Sequence, residues 1–403
     1  METDIQLLQK KYYLKEMEVN SLLEITQAIN DNLNEEALFR IYDFTIRANL
    51  NIGKLALYVL DEEWSCRVNF GTSNDFLNTN LPGSIQKMVK LSSDFESPFD
   101  EFEIIIPVKH RSTVLAYVFA SSVNSAEEGI NTTFLQALSN LIIVAIENQR
   151  LTRHQIKQEA FRKELEIAKD VQKLLFPESL PYGVRLKVAA SYLPHQSVGG
   201  DYYDYIPINE NQFLICIADV SGKGIPAAIM MSNFQASLHT LLRTTPNLTQ
   251  IIEVLNYQIL ENAKGENFIT FFGAIYDHKL NTLVYINAGH NPPFLYDREN
   301  GIRTLDEGCT VLGMFHPLPF INEGFVTDLN SFMLFLYTDG LTETENENDE
   351  EYGSDRIRDY LENNPYKDLK EIHSELLEEL DKFKGKNDYR DDITILSCRL
   401  EER

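Results

Sequence analysis

Cysteine is scarce in this sequence. Its four residues, Cys66, Cys216, Cys309 and Cys398, are scattered along 403 positions and form no CxxC pair. A chain of this length folds without disulfides, so the spacing argues against a disulfide scaffold. It fits small core residues in a reducing, cytoplasmic setting. Basic residues are also in short supply: Lys and Arg total 36 against 61 Asp and Glu, a formal net charge of −25. Such a surface repels phosphates, which argues against a nucleic-acid partner and against binding to anionic membrane. No apolar run approaches the ~18 residues of a membrane-spanning helix. The charged start "METDIQLLQKKYYLKEME" has neither the apolar stretch nor the cleavage site of a secretory signal. The eight His form no HxxxH pair and do not cluster with Cys, which argues against zinc. "SGKG" lacks the spacing of a phosphate loop, and no Ser has the GxSxG setting of a nucleophile elbow.

What is present is a globular composition, with 43% hydrophobic residues and 23 Phe. The length predicts two or three domains. Residues 1–30 read as one helix, with Leu8, Tyr12, Val19, Leu22 and Ile29 on a 4-3 spacing. "NDNLNEEALFRIYDFTIRANL" starts a second amphipathic helix behind an Asn/Asp cap signal. "KLALYVLDEEWSCRVNFG" (54–71) and "FEIIIPVKHRSTVLAYVFASS" (102–122) each read as two strands around a turn, the second turning at His110–Ser112. A long helical pattern, 131–177, follows without Gly or Pro until Pro177. This order, with the apolar strand–turn–strand "IIIPVKHRSTVLAYVFASS", resembles a GAF domain over about residues 20–150. No ligand is evident, since Cys66 alone is no bilin or haem anchor, and a packing or dimerisation module fits as well. The predicted boundaries are an N-terminal helix (1–20), a GAF-like domain (21–150), a helical linker (151–178) and a C-terminal domain (179–403).

The linker carries Phe161, Leu165, Ala168 and Leu175 on one face, with Gln172 at the intermediate position. Two readings stay open: a short coiled-coil seam, or a stripe packed on the adjacent domain. "PESLPYG" ends the helix. From Val184 onward apolar strand patterns recur, "RLKVAASYLP", "QFLICIADV", "FITFFGAIYD", "TLVYINAGH", "SFMLFLYTDG" and "DITILSCRL". Helical stretches at 225–245, 248–264 and 368–383 lie between them, which predicts two sheets flanked by helices.

Acids sit at the ends of these strands. Asp201 follows "SVGG", Asp219 ends "FLICIAD", Asp339 ends "FMLFLYTD", and Asp391 and Asp392 precede "ITILSC". A carboxylate at a buried strand end is costly unless paired or metal-bound. Several together repel, and divalent cations remove that problem; oxygen ligands favour Mg2+ or Mn2+. Locally, Gly199-Gly200-Asp201 is ambiguous. It is a common turn, and it also resembles the metal hairpin of nucleotide cyclases, where a further acid and Phe follow and the partner acid lies upstream. Here Tyr202 and Tyr203 follow, and the partner acids lie downstream.

The ordered set "VGGDYYD", "ADVSGKGIPAAIMM", "AGHNPP", "YTDGLTE" and "RDDITIL" resembles the SpoIIE-type branch of the metal-dependent Ser/Thr protein phosphatases (PPM), over residues 180–400. "EIAKDVQKLLFPESLP" resembles the helix that leads into that domain. The fold class implied is α/β (α+β): a GAF-like sensor, a helical linker and an αββα phosphatase sandwich. The resemblance implies that Asp201 binds metal, Asp219 bridges two ions, and Asp339 and Asp391 complete the second. Val220 offers its backbone carbonyl. Asp392 stands where relatives often carry Asn and supports the ligands instead of binding; Asp204 lies outside the motif. Gln196 stands where the eukaryotic branch has a phosphate-gripping Arg, and Ser221 stands where it has His. Lys223 reads as a solvated loop residue and His290 as the holder of a hairpin turn.

The implied chemistry is in-line attack on a phosphoserine or phosphothreonine by a water activated by two Mn2+ or Mg2+ ions, with no phosphoenzyme. The implied substrate is a phosphorylated STAS-domain anti-sigma-factor antagonist in bacterial partner-switching, and a homodimer is expected. The rival reading is a catalytically silent module that binds the same partner. Hydrolysis of an aryl phosphate with and without Mn2+ separates the two.

Overall fold

The computed structural model describes residues 2–49, 51–87, 98–123 and 130–402. Contacts divide the chain into two units, Met1–Glu159 and Ala160–Arg403. The first holds α1 (Glu2–Asn30), α2 (Glu35–Asn49), β1 (Ile52–Leu60), β2 (Trp64–Phe70), β3 (Ile104–His110) and β4 (Thr113–Ser122). The long α3 (Thr132–Lys173) contains the boundary between the units. The strands form an antiparallel sheet in the order β2-β1-β4-β3. Both hairpins lie where the alternation predicted them, and Arg111 takes a φ of +55° in the second turn. The α2 start is capped as its sequence implies: Asn34 Oδ1 accepts from the Ala37 N–H at 2.9 Å.

Both faces of this sheet are covered. Leu55, Leu57 and Val59 pack under α1, α2 and the first half of α3, while Ala56 and Tyr58 face Phe76, Leu81, Phe99 and Phe102. The connection between the two hairpins makes short 3-10 turns, and residues 88–97 within it lie outside the described residues. The face of α1 differs from the expected stripe. Leu22 and Ile29 of that stripe pack beside the buried Ser21, Ile25 and Ala28, whereas Leu8, Tyr12 and Val19 are exposed. Cys66 is buried, and burial raises its thiol pKa to about 12, which leaves it unreactive.

The second unit adds β5 (Leu186–Leu193), β6 (Tyr202–Pro207), β7 (Gln212–Val220), α4 (Ile225–Leu242), α5 (Leu248–Ala263), β8 (Ile269–Asp277) and β9 (Thr282–Ala288). Next come β10 (Phe294–Asp297), β11 (Gly301–Thr304), β12 (Gly308–Cys309), β13 (Gly324–Val326) and β14 (Phe332–Tyr337). The chain closes with α6 (Asp339–Thr342), α7 (Ser354–Asn363), α8 (Leu369–Lys384) and β15 (Ile393–Leu400). One sheet runs β11-β10-β14-β15-β5, the other β12-β9-β8-β7-β6 with β13 beside β9. Alternation along β7 builds the layers. Phe213, Ile215 and Ile217 meet Leu334, Leu336, Leu396 and Cys398 between the sheets. Leu214, Cys216, Ala218 and Val220 face α4 and α5. On the far side, Phe335 and Ile395 pack against α7 and α8. The result is the expected αββα sandwich.

α3 ends at Lys173, four residues short of Pro177, in a turn closed by Leu174 N to Val171 O and Leu175 N to Gln172 O. Gln172 is buried, and Leu175 and Phe176 pack against the core under α4 and α5, so this end of the stripe is docked. Phe161, at its start, is exposed, as are Ile167, Val171 and Leu174 on other faces. Among the described residues no helix is long and apolar enough to cross a membrane.

Candidate active site

The strand-end acids come from four separate segments and gather at one end of the sandwich. Asp201 precedes β6, Asp219 lies at the end of β7, Asp339 opens α6 after β14, and Asp391 and Asp392 precede β15. Glycine allows the close approach. A Cβ on Gly200 would stand 2.8 Å from the Val220 carbonyl oxygen and 3.4 Å from Asp219 Oδ1; one on Gly199 would stand 2.0 Å from Asp392 Oδ2. Two donors orient Asp201: the Thr394 hydroxyl at 2.5 Å and the Thr338 hydroxyl at 2.9 Å, both to Oδ2. Asp392 is spent on backbone. Its Oδ1 accepts from His195 N at 2.7 Å and its Oδ2 from Gly200 N at 2.9 Å, which clips the loop that carries Asp201.

The acids feel one another. Burial, then the charge of Asp219, raises Asp201 well above the usual carboxylate range. Burial, then the charges of Asp339 and Asp391, raises Asp219, although a hydrogen bond with Asp201 opposes this. Asp339 is raised by burial and by Asp391. Among the described residues no three His, Cys, Asp or Glu side chains form a ready-made metal cage. Asp201 points to its threonines, and Asp391 Oδ2 lies 2.8 Å from the Lys223 ammonium. The donor set nevertheless fits a hard divalent ion. It is all oxygen and mutually repelling, and it has the Val220 carbonyl beside Gly200.

Asp204 faces the other way. Its register partner Cys216 lies in the core under α4 and α5. Asp204 Oδ2 accepts from Tyr202 Oη at 2.5 Å and His239 Nε2 at 2.7 Å, and its Oδ1 accepts from Tyr205 N at 2.7 Å. It ties β6 to α4. Asp204→Ala is expected to cost about 2–3 kcal/mol of stability, because buried donors lose a charged acceptor. Chemical denaturation measures this, and Mn2+-dependent turnover per folded molecule should stay near wild type.

His290 is buried between the sheets. Its Nε2–H donates to the Tyr337 carbonyl at 3.1 Å, and its Nδ1 accepts from Thr270 Oγ1 at 2.8 Å. Burial lowers its pKa to about 4, so it stays neutral at pH 7 and joins β8 to β14. Ser221 is also structural: its hydroxyl accepts from Phe268 N at 2.8 Å. Gln196 lies against Gly224, its Oε1 3.3 Å from where a Cβ would sit there. Sequence reasoning missed Thr338 and Thr394, which stand one residue before Asp339 and two after Asp392. It also missed the reach of Lys223 into the acids. Gln172 is a third: its Nε2 donates to the Gly199 carbonyl at 2.8 Å, and its Oε1 accepts from Gly199 N at 3.3 Å.

Residues 209–401 match the family model Stage II sporulation protein E (SpoIIE). The likeness to that family runs from β7 to the end of β15. The matched span holds Asp219, Asp339 and Asp391, and Asp201 falls just before it. The chain is 34% identical over 193 residues to phosphoserine phosphatase RsbU of Bacillus subtilis, covering 47% of this chain and 57% of that protein. It is 28% identical over 250 residues to protein IcfG of Synechocystis, covering 55% of this chain and 39% of the other. Phosphoserine phosphatase RsbP of Bacillus subtilis is 26% identical over 185 residues, 45% of each chain. The chain thus spans about half the length of these curated relatives. The SiaA-PP2C domain of Pseudomonas aeruginosa superposes with a TM-score of 0.55 at 22% identity, covering 61% of this chain and 99% of that one. That likeness supports a PP2C fold for the second unit.

Proposed function

We propose that the chain is a metal-dependent serine/threonine protein phosphatase of the SpoIIE type. Its site is built from Asp201, Asp219, Asp339, Asp391 and the Val220 carbonyl. The observation that carries the reading is the gathering of these acids from four segments, each raising or raised by another. A silent binding module has no use for a cluster of like-charged, buried and half-buried carboxylates, which destabilise the fold unless cations offset them. When bound, two Mn2+ or Mg2+ ions supply positive charge against the phosphoryl oxygens and lower the pKa of a water. The chain's own groups do the rest. Asp219 is the acid on which Asp201, Asp339 and Asp391 all act. Thr338 and Thr394 hold the Asp201 carboxylate in place, and Asp392 fixes the loop behind it.

The substrate we assign is a phosphoserine or phosphothreonine of a small STAS-domain protein in bacterial partner-switching. The motif set and the likeness to phosphoserine phosphatases RsbU and RsbP support it. The first unit, residues 21–150, is read as a GAF-like sensor, with control passing through the linker at 151–178. The exposed Ile167, Val171 and Leu174 of α3 are the side chains we assign to self-association as a homodimer. The setting is the cytoplasm, in keeping with four free, buried Cys.

The direct test needs no substrate. At a hundredfold excess of Mn2+ over its Kd, binding to the folded state alone is expected to raise the melting temperature of the SpoIIE unit by about 5–10 °C. EDTA should reverse the shift. A melting temperature indifferent to Mn2+, Mg2+ and EDTA would sink the metal-site reading.

A further inference from the structure

The SpoIIE unit lacks an evident group to grip the substrate phosphate, and the sequence marks Lys223 as a loop residue in water. The structure places it differently. Lys223 stands between Gly222, with φ +95°, and Gly224, with φ +71°, in the tight loop from Asp219 to α4. That loop aims the side chain at the acids. Its ammonium lies 2.8 Å from Asp391 Oδ2 and donates to the Arg390 carbonyl at 2.5 Å. Its charge also acts on Asp339 and Glu343, opposing the rise that burial imposes on each.

We propose that Lys223 alternates between two anions: Asp391 when no divalent ion is bound, and the phosphoryl oxygens of the substrate once an ion has taken Asp391. The inference rests on the metal-site reading above. An ammonium 2.8 Å from a carboxylate oxygen occupies the place a cation would take there. Two cations at one carboxylate repel, so Lys223 would yield Asp391 to a divalent ion held there, being the weaker, singly charged partner. The freed ammonium keeps its three donors and stays on a flexible stem beside the site, with nearly half of the side chain, 45%, open to solvent. A dianionic phosphoryl group bound at these acids through divalent ions would offer Lys223 a new anionic partner, and ammonium–phosphate hydrogen bonds are short and charge-assisted. The neighbouring cation does not compete for this role, because Arg390 is paired with Glu345 at 2.5 Å. Gln196, in the position of the eukaryotic gripping Arg, has no charge to offer.

The test compares the full-length protein with Lys223→Met and Lys223→Arg. Thermal unfolding against Mn2+ concentration, without substrate, gives a half-saturating concentration. Loss of a competing half-exposed ion pair should lower it about two- to fivefold in Lys223→Met. Inhibition of aryl-phosphate hydrolysis by inorganic phosphate should weaken about tenfold or more in the same variant, because a charge-assisted contact is lost. Lys223→Arg should restore phosphate inhibition to within a few fold. A Mn2+ midpoint that does not fall, or phosphate inhibition that stays at the wild-type value in Lys223→Met, overturns the proposal. A wild-type protein with no Mn2+ midpoint overturns the metal site as well, so the two failures are distinguishable.

Discussion

Asp219→Asn is expected to abolish Mn2+-dependent hydrolysis of an aryl phosphate, by about a thousandfold or more, while the protein stays folded. The magnitude follows from the several kcal/mol of transition-state charge stabilisation that metal ions supply, each 1.36 kcal/mol being about tenfold in rate. Asp219 is the acid whose surroundings include all the others: Asp339, Asp391, Asp201 and Asp392 each act on it. Asn keeps its shape and one carbonyl oxygen but loses the charge that a bridging ligand needs. The same change removes a like charge from a buried cluster. The metal-free variant should therefore melt at or above the wild-type temperature, while the upward shift with Mn2+ disappears. Reduced turnover with an intact Mn2+ shift would mean that Asp219 does not bridge the ions. Turnover that survives both EDTA and this substitution would sink the metal mechanism altogether.

Much of the fold was legible because periodicity reports burial. The apolar run in "QFLICIADV" is unbroken, since β7 is covered on both faces, and this places Asp219 near its end. α7 was not legible. Half of "SDRIRDYLEN" is charged, and its two fully buried residues, Ile357 and Leu361, stand one turn apart. The strands β10 to β13 were missed for a different reason: at two to four residues each they are too short to show a period. Within the site, the acids stood out because apolar strands make a carboxylate conspicuous. Thr338 and Thr394 did not, because a hydroxyl in or just after a strand is unremarkable until the partner 137 or 193 residues away is in place. Lys223 was misread for the same reason. Its position after Gly222 suggests solvent, and only the fold brings Asp391 to it.

Gln172→Leu is expected to raise the half-saturating Mn2+ concentration about tenfold and to lower turnover at limiting Mn2+, with normal turnover recovered at high Mn2+. The sequence places Gln172 as the polar interruption of an apolar stripe, open to either a coiled-coil seam or a docked face. The structure uses it to dock. Its amide closes a two-way bond with the backbone of Gly199, two residues before Asp201. Both partners are buried, so Leu orphans a carbonyl and an N–H. Each unmet group costs about 1–3 kcal/mol. The strain falls on the loop clipped by Asp392 at Gly200, where no Cβ is tolerated. A shift there of a fraction of an ångström moves the Asp201 carboxylate relative to Asp219, and metal coordination is sensitive on that scale. The last turns of α3 thereby hold the loop that carries one of the site's acids, and the proposed control through the linker would act at this bond. Mn2+ titrations by thermal shift and by turnover should move together in Gln172→Leu. If the variant loses stability but keeps the wild-type Mn2+ midpoint in both, the helix is an inert tether, and control through it should be abandoned.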